Sequence, residues 1–312
     1  MSDVTSETID WDKIKKFVEP KPPLFCPHVP FPKQKIFLRA ENREVLFGGR
    51  ASGGKSDALI MAATQYVDVP GYSALIIRNT FADLDQEGAI MNRAVKWWRD
   101  YPEVKWSRQA RKATFPSGAT VTFGYLQNAD DHLQYQGAEF QFIGFDELTQ
   151  IREESYKYLV YSRIRKPSME SGLPLARVPL RARAASNPAP NWVRQHFIVE
   201  GKEKGRLYIP SGIEDNKYVN REEYEASMAN LTPVLRAQLA RGEWFVNDDG
   251  EFFSRDDFDL VQPMEIPHEA YDNAVRYWDL AATEPSDANR DPDWTVGDRK
   301  STRLNSSHDQ RS

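Results

Sequence analysis

The chain has 312 residues, of which 40% are hydrophobic and 28% charged, with a formal net charge of −5. This composition belongs to a globular protein with length for one large domain or two, and no apolar run approaches a membrane span or a signal-peptide core. The single cysteine, Cys26, excludes an internal disulfide, and the mild acidity argues against a surface coated with nucleic acid while leaving room for a local basic groove.

Residues 1–33 are polar and then proline-rich, with one short helix expected over 11–18. Proline restricts itself and its predecessor, so 20–32 should wrap in extended form. Cys26 and His28 lie in this lead, and two lone candidates do not make a metal site. Gln34 follows, just upstream of the first strand. Its amide both donates and accepts, so it either reads an adenine edge or is a surface residue at a helix start.

Residues 44–47 (EVLF) read as a short buried strand. Gly49 to Ser56 then fit G-x-x-x-x-G-K-[ST], and 56–66 (SDALIMAATQY) read as the helix leaving the loop. The chemistry explains the pattern. Gly49, Gly53 and Gly54 let the backbone wrap a phosphate and aim its N–H groups inward. Lys55 places a charge on the β- and γ-phosphates, and the Ser56 hydroxyl can hold Mg²⁺. The helix turns its positive end toward the anion.

Residues 72–78 form an apolar run expected of a strand covered on both faces. Residues 89–101 have helical apolar spacing, with Trp97 and Trp98 assigned to packing rather than base stacking. A hairpin is expected over 113–123, turning at 116–118. Residues 140–147 (FQFIGFDE) form an apolar strand ending in Asp146 and Glu147, the Walker B pattern. Asp146 would hold Mg²⁺ directly or through water, and Glu147 would deprotonate the attacking water. An amphipathic helix is expected over 151–166. Arg163, Arg165 and Lys166 at its end are either solvated charges or a phosphate-facing patch. Residues 180–185 form a strand leading into Ser186 and Asn187, which either sense a γ-phosphate or only make a turn.

The order and spacing of these blocks resemble the large terminase subunit of tailed bacteriophages. The matching stretches span 32–297 and include PKQKIFL, VLFGGRASGGKSDALIMAATQY, YQGAEFQFIGFDELTQ, RARAASNP and VRYWDLAATEPSDANRDPDWTVG. The resemblance implies an α/β P-loop NTPase fold with a mainly parallel sheet flanked by helices, then a small helical linker and an RNase H-like nuclease domain. The implied boundaries are 1–33 for an extension, 34–211 for the ATPase, 212–248 for the linker and 249–297 for the start of the nuclease. Gln34 would sit at adenine, and Arg50 would be an arginine finger in cis. Ser186 and Asn187 would couple hydrolysis to movement. Asp279 would ligate a nuclease pair of Mg²⁺ or Mn²⁺ ions, with Asp293 near it. In the linker, Leu231, Leu235 and Leu239 at four-residue spacing mark the expected packed face.

Back-translation of 298–308 resembles a sequencing adapter. The natural frame is therefore expected to end after Gly297, with 298–312 an artefactual tail and the nuclease incomplete and inactive. The implied function is ATP-driven packaging of double-stranded DNA into procapsids, with a parent nuclease that cuts concatemers. Implied partners are the DNA, the portal protein, the small terminase subunit and further copies of the chain, about five on the portal. The place is the host bacterial cytoplasm, on the procapsid, with no membrane. A helicase-like DNA motor and a non-catalytic, nucleotide-switched assembly factor are the alternatives. The linker and WDLA blocks speak against the first, and Glu147 against the second.

Overall fold

The computed structural model describes residues 21–50, 52–165, 175, 177–220, 224, 227, 231–245, 274–279 and 296–301. The chain divides into two compact units, Met1–Asn247 and Asp248–Ser312. The helix expected over 11–18, Lys166 and Asp293 lie outside the described residues.

The first unit is built on an eight-stranded sheet. Its strands are β1 (Glu44–Gly49), β2 (Ser73–Arg78), β3 (Lys105–Ser107), β4 (Lys112–Thr114), β5 (Thr120–Tyr125), β6 (Phe142–Asp146), β7 (Arg181–Ser186) and β8 (Leu207–Ser211). The spatial order is β3-β4-β5-β2-β6-β7-β1-β8. The strands from β5 to β8 in that order run parallel, and β3 and β4 add an antiparallel edge. All six parallel strands therefore end on one rim, where such sheets bind ligands.

Alternation along the strands sends side chains to two cores. Val45 and Phe47 of β1 and Ile76 of β2 enter one, with Phe37, Leu59, Met61 and Trp98. Leu46, Leu75 and Ile77 enter the other, with Phe145, Tyr156 and Leu159. A sheet covered on both faces explains why these strands read as continuous apolar runs.

The helices are α1 (Pro32–Arg39), α2 (Lys55–Thr64), α3 (Phe81–Asp85), α4 (Ile90–Trp98), α5 (Glu153–Tyr158) and α6 (Pro233–Arg236). Pro32 starts α1, where a missing N–H costs nothing. Thr80 caps α3 by accepting from the Asp83 N–H. Trp98 is buried edge-on to Phe115, and Trp97 packs half-buried beside it.

Two expectations need correction. The helix expected over 151–166 is α-helical only for α5. It widens into a π-turn over Leu159–Arg163 and ends where the Arg165 N–H reaches the Phe140 carbonyl. Of the three leucines expected to mark a packed linker face, Leu235 is exposed, while Leu231 and Leu239 are half-buried. Ala237 and Trp244 are buried instead. The Trp244 indole donates to the Tyr208 hydroxyl at 3.0 Å and lies against Gly48, so the segment at Trp244 is seated on the end of β1 through this ring.

In the second unit, β9 (Ala274–Asp279) and β10 (Val296–Ser301) pair antiparallel. Asp279 is the last residue of β9 and stands opposite Val296. β10 runs unbroken across the boundary expected at Gly297.

Candidate functional site

The rim of the sheet collects the expected residues in one place. β1 delivers the glycine loop, β6 delivers Asp146, and β7 lies between them in the sheet. The registers set Gly48 beside Ser186 and Asp146 beside Ala185. The tip of β7 thus stands between the loop and the acidic pair, a position that strand order alone decides.

The loop is held open by backbone geometry. Gly49 has φ +121°, and a Cβ there would meet the Ser211 carbonyl oxygen at 2.5 Å. A Cβ on Gly53 would crowd the Ser211 hydroxyl at 2.8 Å. Gly54 is left-handed at φ +73° and caps the start of α2. The outer side of the loop is braced by the last residue of β8 and by residues that follow it. The Arg50 N–H donates to the Ser211 carbonyl at 2.8 Å, the Asn216 amide donates to the Ser52 carbonyl at 2.8 Å, and Arg50 Nη1 pairs with Glu214 at 3.1 Å.

Gln34 is buried against this loop. Its Oε1 accepts from the Phe31 N–H at 2.8 Å, and its Nε2 donates to the Gly54 carbonyl at 2.8 Å. Both ends of the amide are engaged by backbone.

Lys55 is buried, with Nζ 2.5 Å from the Arg50 carbonyl and 2.9 Å from Asn187 Oδ1. Burial pulls its pKa down to about 8, against the pull of Glu147 and Asp146. Among the described residues its direct hydrogen bonds are to neutral oxygens, and the two carboxylates act on it without a direct bond, a setting in which a phosphate would add close negative charge.

Ser56 Oγ donates to Asp146 Oδ1 at 3.0 Å, and Arg78 Nη1 lies 2.7 Å from Oδ2. Burial raises the Asp146 pKa, and Arg78 and Ser56 oppose that rise. Glu147 closes β6 in a left-handed conformation, φ 53° and ψ 55°. A non-glycine residue there stores about 1–3 kcal/mol of strain, which functional sites commonly carry. Burial and the neighbouring Asp146 push the Glu147 carboxyl up, while Lys55, Arg78 and the Asn187 N–H pull it down. A carboxylate raised in this way is a better proton acceptor near neutral pH.

Ser186 is fully buried, and its hydroxyl lies 2.7 Å from that of Thr149 and accepts from the Thr149 N–H at 3.1 Å. Asn187 accepts from Lys55 through its side-chain oxygen, and its backbone N–H acts on Glu147 to lower that carboxyl's pKa. Arg78 is the one member of the site that the sequence reading passed over. It ends the apolar run of β2, and only the adjacency of β2 and β6 brings it to Asp146.

The donor set fits a magnesium nucleotide. The glycine loop leaves room that a Cβ would fill, Lys55 is bonded directly to neutral oxygens, and Ser56 and Asp146 present one hydroxyl and one carboxylate together. Among the described residues no group of three His, Cys, Asp or Glu side chains forms a metal cage.

A mostly parallel sheet, a glycine loop opening a helix, and an acidic pair one strand away define a P-loop NTPase fold. The family described as terminase large subunit, T4likevirus-type, N-terminal, matches residues 45–260. The chain belongs to that family. No curated protein matches it in sequence.

Among solved structures, the large terminase of a thermophilic bacteriophage is similar in fold. One crystal form aligns with a TM-score of 0.57 at 17% identity over 81% of this chain and 66% of the phage protein. The complex of the same terminase with ADP aligns with a TM-score of 0.55 at 16% identity over 88% and 66%. Its complex with ATP-γ-S gives 0.51 at 16% identity over 70% and 54%. The chain therefore spans between about half and two thirds of these structures. No helix among the described residues is long and apolar enough to cross a membrane.

Proposed function

We propose that this chain is the ATP-hydrolysing motor part of a terminase that packages double-stranded DNA into procapsids. One observation carries the reading. Lys55 bonds to Asn187, Ser56 bonds to Asp146, and Glu147 adjoins Asp146, so buried Lys55 and Asp146 and half-buried Ser56, Glu147 and Asn187 gather at the glycine loop, in a member of the terminase family. Support for the nucleotide comes from the thermophilic phage terminase, whose bound molecules are ATP-γ-S and ADP.

Each residue has a task in this reading. The loop N–H groups and Lys55 bind the phosphates, which bring negative charge directly to the Lys55 ammonium. Ser56 and Asp146 would hold Mg²⁺, which would supply positive charge at the phosphate oxygens. Glu147 takes the proton of the attacking water. Gln34 clamps the loop at Gly54 beside the base. Arg50 exchanges Glu214 for the terminal phosphate as the finger in cis. Asn187 touches both Lys55 and Glu147, so it reports whether the phosphate is present, and Ser186 relays this to Thr149. The linker carries the resulting motion.

The remaining assignments rest on family membership. They are a ring of copies on the portal, the small subunit as partner, the host cytoplasm as the place of work, and a parent nuclease using Asp279 with two Mg²⁺ or Mn²⁺ ions.

The test is ATP turnover and ATP binding by the whole chain, with and without double-stranded DNA. Lys55→Ala should lose binding. Glu147→Gln should bind ATP normally and lose turnover by about 10²–10⁴-fold, the usual worth of a general base. Unchanged turnover in Glu147→Gln would remove Glu147 from that role.

A further inference from the structure

Arg78 is poorly explained as a surface cation. Its side chain is 20% exposed, and the Asp146 side chain it meets is 1% exposed. Its Nε is buried and, among the described residues, has no hydrogen-bond partner. The two Asp146 oxygens are divided, one to Ser56 and one to Arg78. Lys55 and Arg93 also act on this carboxylate, at longer range.

The carboxylate so occupied is the one the functional reading gives to Mg²⁺, and the inference rests on that reading. A dication and a guanidinium cannot both lie close to one buried carboxylate without strong mutual repulsion, because the low dielectric that strengthens each attraction strengthens the repulsion equally. Oδ2 accepts from Arg78 at 2.7 Å, so a cation bound through Oδ1 on the Ser56 side draws on charge that Arg78 already shares.

We propose that Arg78 is the resident counter-charge of Asp146 and competes with the divalent cation for it. Arg78 holds Asp146 and Ser56 in place before nucleotide arrives, and it keeps the cation weakly bound until nucleotide phosphates add negative charge. It is a positioning residue that sets the metal requirement of nucleotide binding. Glu147 is the other acid in its field once Asp146 is surrendered.

A purely structural Arg78 would only neutralise a buried acid, and a metal titration separates the two roles. The affinity of the whole chain for a fluorescent ATP analogue is measured over a series of free Mg²⁺ concentrations at pH 8. In Arg78→Gln the Mg²⁺ concentration at half-effect should fall by about tenfold, since an opposite charge this close is worth ~1–3 pK units to a carboxylate. Arg78→Lys keeps the charge and should stay near wild type. The same half-effect concentration in Arg78→Gln and wild type would overturn the proposal. Wild type that binds no analogue at any Mg²⁺ level would instead overturn the nucleotide reading beneath it.

A second measurement needs no altered fold. The Arg78 Nε–H resonance of the wild-type protein, assigned by its loss in Arg78→Lys, should shift when Mg²⁺ and ADP are added together and stay in place with ADP in chelator. Identical spectra under those two conditions would also overturn the competition.

Discussion

Glu44 is a charge kept deep in the protein, at the end of β1 away from the glycine loop. Its carboxylate meets His196 Nε2 at 2.8 Å, the Tyr156 hydroxyl at 2.8 Å and the Tyr161 hydroxyl at 2.9 Å, with Arg206 Nε at 3.5 Å. Burial pushes the carboxyl up, but the bonds from His196, Tyr156 and Tyr161 outweigh it and bring the pKa down to about 2. A carboxyl lowered by folding stabilises the fold above its unfolded pKa and loses that contribution as pH falls toward the folded one. From 4.5 down to about 2 the shift amounts to about 3 kcal/mol, of which roughly 2 is gone by pH 3. Urea unfolding at pH 6 and pH 3 should therefore show a smaller pH difference in Glu44→Gln than in wild type. Equal differences would mean that the cluster carries no linkage. None of this was legible in the sequence. The partners lie at 156, 161, 196 and 206, and no local spacing relates them to position 44. Arg78 was missed for the same reason, because a lone arginine after an apolar run has no motif.

The glycine loop and the acidic strand were legible as elements because phosphate chemistry fixes their residue types at short range. Strand order was not, since it is set by how the strands cross over. The sequence reading placed Ser186 and Asn187 after a strand without a means of saying that this strand, β7, separates β1 from β6. β7 carries a second feature that only the fold reveals. Arg181 and Arg183 are both buried, and their guanidinium groups meet backbone carbonyls and an amide oxygen. Arg183 donates to the Ala40 carbonyl at 2.6 Å, at the end of α1, and Arg181 to the Ala62 carbonyl at 3.4 Å and the Gln65 side chain at 2.7 Å, at the end of α2. Cations at helix C-termini satisfy unpaired carbonyls and complement the dipole. The loop is as tightly specified as this strand. Gly49→Ala must fit a methyl against the Ser211 carbonyl at a positive φ, whereas at Gly118, also at positive φ, nothing lies within 4 Å. Thermal melts and analogue binding should show Gly118→Ala losing about 1 kcal/mol with binding intact, and Gly49→Ala losing more than that together with binding. A Gly49→Ala protein that binds normally would mean that the loop relaxes freely.

At the scale of the molecule, residues 1–247 contain the whole eight-stranded sheet, both cores and the candidate site, and they form a compact unit of their own. A fragment of 1–247 should melt cooperatively and bind the ATP analogue with an affinity within a few-fold of the whole chain. A fragment that fails to fold would show that the second unit supports the first. Within the first unit, β7 is bonded along both edges and rooted at its start by two arginines. A rod fastened in that way has almost no freedom to travel lengthwise. A slip of one residue would break both ladders and turn every side chain to the wrong face. The height of Asn187 above the sheet is therefore fixed, and under the proposed coupling role a message leaving the rim would begin as the rotation of a few side chains on a stationary post. Rotations of that kind take picoseconds to nanoseconds, so the slow steps of such a cycle would belong to the parts beyond β7.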